Sequence, residues 1–315
     1  DGYGITEKAL EQLKDFAPAL FISMDLGVGN FKEAKIAKKM GFELIIIDHH
    51  QMLEPVPIVS ALVDPKQKGD KYPFKGLAAV GVVFKLIEEL FSKDFSESLK
   101  NSFLELVALA TMADMMPVEE DNKEFINEGL NSIRSTFRPG LKSFVEIFGT
   151  NSLSGADIQK MISALNISEN INGINETYKL LISASIEEAK PIAQSLLNKA
   201  QRKQMRVREI TQEIETRIKN KLNEVIIFEG DAFWPLILAG SVASSLFQKY
   251  EKPVFIFKKG DGESYGSVRA PKNLNSVDAM KTCADFLITY GGHPAAAGFR
   301  VKNQDLDKFK SRLVD

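Results

Sequence analysis

The chain holds three histidines, and two are adjacent, in Ile47-Asp48-His49-His50. The third lies in Gly291-Gly292-His293-Pro294. Imidazole binds metals and titrates near neutrality, so these short stretches concentrate the chain's chemistry. Asp48-His49-His50 follows the apolar run Leu44 to Ile47, and Asp25 follows the run Ala19 to Met24. In a parallel α/β sheet, ligands bind outside the carboxyl ends of the strands. Two carboxylates and an imidazole are therefore expected at one sheet edge. Carboxylate oxygens and imidazole nitrogens suit Mn2+ or Mg2+ better than a soft metal. A single Asp in such a place is as readily a helix cap, but an Asp followed by two histidines is poorly explained that way. Asp114, between Ala113 and Met115, ends an apolar helical run. A charge there is costly unless paired or metal-bound, although taken alone it reads as a surface Asp at a helix end. The Gly291-Gly292 pair lets backbone N–H groups approach a phosphate; its plainer reading is a tight turn before an edge strand.

The elements around these residues follow from periodicity. Strands are expected over 19–24, 43–47 and 58–63, with a helix over 31–40 ended by Gly41. Strands alternating with helices imply a parallel sheet covered on both faces. From Leu77 to about Phe148 the pattern is helical. A long helix closes the middle of the chain, where Ile210, Ile214, Ile218 and Leu222 recur every four residues. The βα pattern then returns, with strands over 225–228, 254–257 and 295–301 and helices over 237–250, 276–290 and 306–313. The expected fold class is α/β: a parallel-sheet domain over 1–150, a helical connector over 151–222, and a smaller α/β domain over 223–315.

Composition limits the possible roles. At 315 residues with a net charge of −2, the chain fits two domains and has no global field for nucleic acid, so any such binding needs local basic patches. No apolar run approaches the length of a membrane span. The lone Cys283 excludes an intramolecular disulfide and a cysteine zinc cluster, which suits the cytoplasm. Lys199, Arg202, Lys203, Arg206 and Arg208 form a basic stretch on the long helix, most simply a solvated face.

Together the motifs resemble the DHH phosphoesterase superfamily, and most closely its RecJ-like single-strand DNA exonucleases. Asp1-Gly2-Tyr3-Gly4-Ile5 is similar to the segment after the family's first motif, Asp25 to its second-motif aspartate, and Asp48-His49-His50 to the motif that names it. Lys75 through Phe84, Ala110 through Val118 and Arg138-Pro139-Gly140 resemble RecJ segments. Gly291 to Gly298 and Gly266 to Arg269 resemble parts of the DHH-associated C-terminal domain. The resemblance implies metal-dependent phosphodiester hydrolysis of single-stranded nucleic acid, 5′-to-3′, in DNA repair and recombination, at a two-metal Mn2+ or Mg2+ site. It implies Asp25, Asp48, His49 and Asp114 as metal ligands and His50 with Asp48 as catalytic residues. It assigns substrate phosphate to Arg269, Gly291, Gly292 and His293, in a cleft between the domains. Single-stranded nucleic acid is the expected partner, with replication or repair proteins as further candidates and no membrane.

The chain also departs from the pattern. The family's first motif, an Asp-x-Asp pair, is not found, and is expected upstream of Asp1. The stretch Ala164 to Asn170 lacks the family's two arginines, and Trp234-Pro235-Leu236-Ile237 lacks its Trp-His pair. The C-terminal OB-fold of many RecJ proteins is not found either. These departures keep two alternatives open: a phosphodiesterase for oligonucleotides or cyclic dinucleotides, and a non-catalytic replication-fork scaffold of the same fold.

Overall fold

The computed structural model describes residues 4–52, 55–149, 153–167, 170–171, 174–221, 223–271 and 273–314. Asp1 to Tyr3 of the opening segment, Ser168 and Glu169 of the altered segment, and Leu222 lie outside them. The chain forms two compact units, Asp1–Ala200 and Gln201–Asp315.

The first unit is built on three parallel strands, β1 (Ala19–Met24), β2 (Phe42–Ile47) and β3 (Ala61–Val63), in that order across the sheet. β3 begins three residues later than expected. Helix α1 (Glu7–Leu13), capped by the Thr6 side chain, precedes the sheet, and α2 (Phe31–Lys39) connects β1 to β2. β2 is buried on both faces because its residues point alternately to opposite sides. Phe42, Leu44 and Ile46 pack with Ala34 and Ala37 of α2, while Ile47 packs with Leu77, Val82, Phe84 and Leu104. Edge strand β1 corrects the expectation of a sheet covered on both faces. Leu20, Ile22 and Met24 are 53%, 45% and 49% exposed, because no described element lies over that side.

A helical layer follows: α3 (Ala79–Phe91), α4 (Glu97–Ala113), α5 (Glu120–Ile133), α6 (Pro139–Phe148) and α7 (Gly155–Leu165). Their ends carry expected signals. Ser96 caps α4, Gly149 in the left-handed region ends α6, and Ser154 with Asp157 forms a capping box on α7. A two-stranded ribbon, β4 (Asn170–Ile171) and β5 (Ile174–Asn175), leads to α8 (Glu176–Leu181). The long helix α9 (Ile186–Ile218) then links the units. Its Ala189, Ala193 and Leu196 belong to the first unit's helical core.

The second unit is a five-stranded mixed sheet: β6 (Ile227–Asp231), α10 (Leu236–Tyr250), β7 (Val254–Lys259), β8 (Glu263–Arg269), α11 (Ser276–Lys281), β9 (Leu287–His293), β10 (Ala296–Lys302) and α12 (Leu306–Val314). The strand order is β6-β7-β8-β10-β9, with only β6 and β7 parallel. The helix expected over 276–290 is corrected: it stops at Lys281, and Leu287 to Tyr290 form strand. Ile288-Thr289-Tyr290 favour extended backbone, and β10 supplies their hydrogen-bond partners. Ile210, Ile214 and Ile218 of α9 pack here with Trp234, Leu238 and Val242. Among the described residues no helix is long and apolar enough to cross a membrane.

Candidate metal centre

Each parallel strand of the first unit ends in an aspartate: Asp25 after β1, Asp48 after β2 and Asp64 after β3. The Asp25 amide bonds to the Ile47 carbonyl at 2.9 Å, and the Asp48 amide to the Val63 carbonyl at 2.9 Å. The chain leaves the sheet at Asp25 in a left-handed conformation, φ 66°. That turn exposes the carboxylate at the sheet edge.

The structure gathers Asp25, His49, His50 and Asp114. His49 is buried, and its Nδ1 lies 3.0 Å from the Leu77 carbonyl. A carbonyl accepts only, so Nδ1 carries the proton and Nε2 presents a lone pair in the neutral ring. Nε2 stands 3.2 Å from Asp25 Oδ1 and 3.5 Å from Asp114 Oδ2. In that form the lone pair and the two carboxylates can share one cation. The ligand atoms of Asp25, His49 and His50 all lie within 4.8 Å of one another. Neighbouring ligands on a small octahedral dication are about 3 Å apart, so this all-oxygen and imidazole set fits Mn2+ or Mg2+. The Leu77 carbonyl fixes the His49 tautomer as metal-bound histidines require.

Asp48 is placed differently. It is fully buried; Oδ1 accepts from the His49 amide at 2.8 Å, the His50 amide at 3.3 Å and His50 Nδ1 at 2.7 Å. Oδ2 accepts from the Val28 amide at 3.2 Å. Burial alone would raise its pKa, but the bonds from His50, His49 and Val28 hold it below the ordinary carboxylate range. The same bond from Asp48 raises the His50 pKa. Burial raises the Asp114 carboxyl, against the pull of His49. Asp114 sits at the C-terminus of α4, and the next residue, Met115, turns the chain at φ 56°.

Residues with no motif to mark them complete the surroundings. Asp64 is buried; Oδ1 accepts from the Lys66 amide at 2.7 Å, and Oδ2 has no partner among the described residues. The Lys66 ammonium donates to the His49 main-chain carbonyl. Asp64 was legible by the same logic as Asp25 and Asp48, since it too follows a parallel strand. A cavity of about 250 Å³ is lined by Asp25, Ala78, Val80, Ala110, Asp114 and Asn166. A larger one, about 440 Å³ beside Arg134, Thr136 and Lys142, shares no residue with it.

The expected phosphate residues lie in the second unit. Arg269 Nε donates to Ser244 Oγ at 3.0 Å and Nη1 to the Val268 carbonyl at 2.8 Å. Burial lowers its pKa, and it pairs with no carboxylate among the described residues. Gly240 leaves it room, since a Cβ there would lie 3.2 Å from Nη2. Gly291, Gly292 and His293 end edge strand β9, opposite Gly298, Ala297 and Ala296 of β10. They lie within a strand, and not in a turn before one. Gly292 has φ 137°, and a Cβ would come within 2.6 Å of the Ala296 carbonyl oxygen. Trp234 is core, 3% exposed.

Residues 3–111 match the DHH family, N-terminal domain, and residues 223–315 match the DHHA1 domain. The chain therefore carries a DHH domain followed by a DHHA1 domain. Over nearly its whole length it is homologous to the RecJ single-stranded-DNA-specific exonucleases. It is 34% identical to that of Bacillus subtilis, across 99% of this chain and 40% of the relative. It is 27% identical to that of Escherichia coli, across 99% of this chain and 58% of the relative. The fold matches a crystal structure of exonuclease RecJ bound to manganese (TM-score 0.82, 24% identity, 100% of this chain and 79% of that one). It also matches RecJ from Thermus thermophilus in complex with Mn2+ (TM-score 0.84, 24% identity, 97% and 46%).

Proposed function

We propose that this chain is the catalytic core of a RecJ-like exonuclease, a metal-dependent phosphodiesterase acting on single-stranded DNA in repair and recombination. The observation that carries the reading is His49 Nε2, its other nitrogen committed to Leu77, facing both Asp25 and Asp114. The names of the RecJ relatives support the substrate, and Mn2+ in the matched structures supports the metal. A cytoplasmic setting and contact with replication or repair proteins go with this reading.

Bound Mn2+ or Mg2+ supplies an activated water and a Lewis acid at the scissile phosphate. Asp25, His49 and Asp114 are the residues that would hold such an ion. Asp48, whose Oδ1 accepts from His50, orients that ring and favours its protonated form. His50 is thereby suited to contact the phosphate or give a proton to the leaving oxygen. In the second unit, Arg269, Gly291, Gly292 and His293 remain the candidates for binding a phosphate that the resemblance implies.

The test is Mn2+-dependent release of nucleotides from 5′-phosphorylated single-stranded DNA by the full natural chain, with a dinucleotide substrate alongside. His49→Ala and Asp114→Ala are expected to lose at least a hundredfold in rate, by analogy with removal of a single transition-state contact. Cleavage of the dinucleotide alone would move the protein to the short-substrate alternative. Absence of metal-dependent cleavage in either assay would favour the scaffold alternative.

A further inference from the structure

The His49 ring is fixed by the Leu77 carbonyl, and Asp114 leads into the turn Met115-Met116-Pro117. These are two separate loops, and one side chain ties them together. Asn122, in the first turn of α5, is fully buried. Its Nδ2 donates to the Gly76 carbonyl at 2.7 Å and to the Pro117 carbonyl at 3.0 Å. Two carbonyl acceptors settle which end of the amide is nitrogen. The price is Asn122 Oδ1, which is buried without a partner among the described residues. Such an orphan is rare in folded proteins, so the position is held for its two donors. The loops also touch directly: a Cβ on Gly76 would come within 2.9 Å of Pro117 Cγ. Gly76 is the residue before Leu77, and Pro117 lies three residues after Asp114.

We propose that Asn122 is a positioning residue for the metal centre, setting the His49 acceptor loop and the Asp114 turn at one spacing. The inference rests on the metal-dependent reading above. Asn122 touches neither metal nor substrate; it acts through the Leu77 carbonyl and the Asp114 turn. Nearby, Tyr72 Oη donates to Asp121 at 2.8 Å. That bond ties the same loop to the same helix without reaching Gly76 or Pro117, and so provides the control.

The experiment measures Mn2+ affinity by calorimetry, and the melting temperature of the metal-free protein, for the full natural chain and for Asn122→Ala, Asn122→Ser and Tyr72→Phe. Both Asn122 variants are expected to bind Mn2+ roughly ten- to a hundredfold more weakly while still folded, the usual effect of losing an outer partner of a metal site. Tyr72→Phe is expected to melt earlier with its Mn2+ affinity unchanged. Unchanged affinity in a folded Asn122 variant overturns the proposal. So does an equal loss in Tyr72→Phe, or failure of both Asn122 variants to fold, either of which makes the residue merely structural. If the wild-type chain binds no Mn2+, the metal centre itself is overturned and this inference falls with it.

Discussion

Asp64 and Asp48 lie side by side at the ends of paired strands, yet their surroundings differ. Asp48 collects donors from His49, His50 and Val28, whereas Asp64 has only the Lys66 amide among the described residues. Burial accordingly raises the Asp64 carboxyl. A group whose pKa is raised on folding stabilises most below its unfolded value, and that contribution is lost as pH rises through the folded value. Asp64→Asn keeps the acceptor for Lys66 and removes the charge. In metal-free protein it is expected to raise the melting temperature at pH 7.5 by roughly 2–8 °C, for about 1–3 kcal/mol of relieved burial. The gain should shrink toward pH 4; a variant that melts earlier at both pH values would refute this. Asp48, whose pKa is lowered, has the opposite sign: Asp48→Asn should cost stability at pH 7.5 and progressively less as pH falls through the acid range. Residue type and strand-end position made Asp25, His49 and His50 legible in the sequence, whereas Asp114, at a helix end, was marked only by the resemblance of its segment. The turning of Asp48 toward His50 was not legible, because spacing says where a Cα lies and not which donors reach its side chain. Asp64 carries no adjacent histidine to mark it.

At the scale of elements, α4 and α5 pack backbone against backbone. A Cβ on Gly129 of α5 would stand 2.2 Å from the Leu104 carbonyl oxygen and 2.6 Å from Ala108 Cβ on α4. Backbone cannot rotate away as a side chain can, so Gly129→Ala must push the helices apart. A loss of about 1–3 kcal/mol is expected, read as an earlier urea midpoint; an unchanged midpoint would show that the helices part freely. The same two helices carry Asn122 in the first turn of α5 and Asp114 at the end of α4, so the contact helps fix the pair that bears them. Strand β1 was legible to the residue because its run Ala19 to Met24 is apolar apart from Ser23 and is bounded by Pro18 and Asp25. Strand β8 was missed for a physical reason: its buried positions are Ser264, Gly266 and Val268, so hydrophobic alternation is faint. Gly266 is small because Phe299 packs over it, 2.4 Å from where a Cβ would be. That cause lies in another strand and leaves no local trace.

At the scale of the whole chain, the two units part inside a continuous helix. The isoleucine spacing of α9 is visible in the sequence, but spacing alone does not say which core each turn enters. Ala189, Ala193 and Leu196 serve the first, and Ile210, Ile214 and Ile218 the second. The DHHA1 match begins at residue 223, beyond all three isoleucines. Each buried isoleucine is worth about 1.5–3 kcal/mol, against about 5–15 kcal/mol for a typical domain. A fragment over 201–315 is therefore expected to melt cooperatively, and one over 223–315 to be largely unfolded, with Trp234 fluorescence as the readout. Equal stability of the two would show that α9 is no part of the second core.

The open side of β1 has a consequence for handling. Among the described residues β1 is an edge strand, and an apolar edge is a template for any extended segment that meets it. Leu20, Ile22 and Met24 offer such a segment a greasy face as well. Because β1 ends at Asp25, whatever docks along it arrives beside the carboxylate that faces His49. Clumping of the purified chain and loss of its grip on Mn2+ would then be one event seen by two methods.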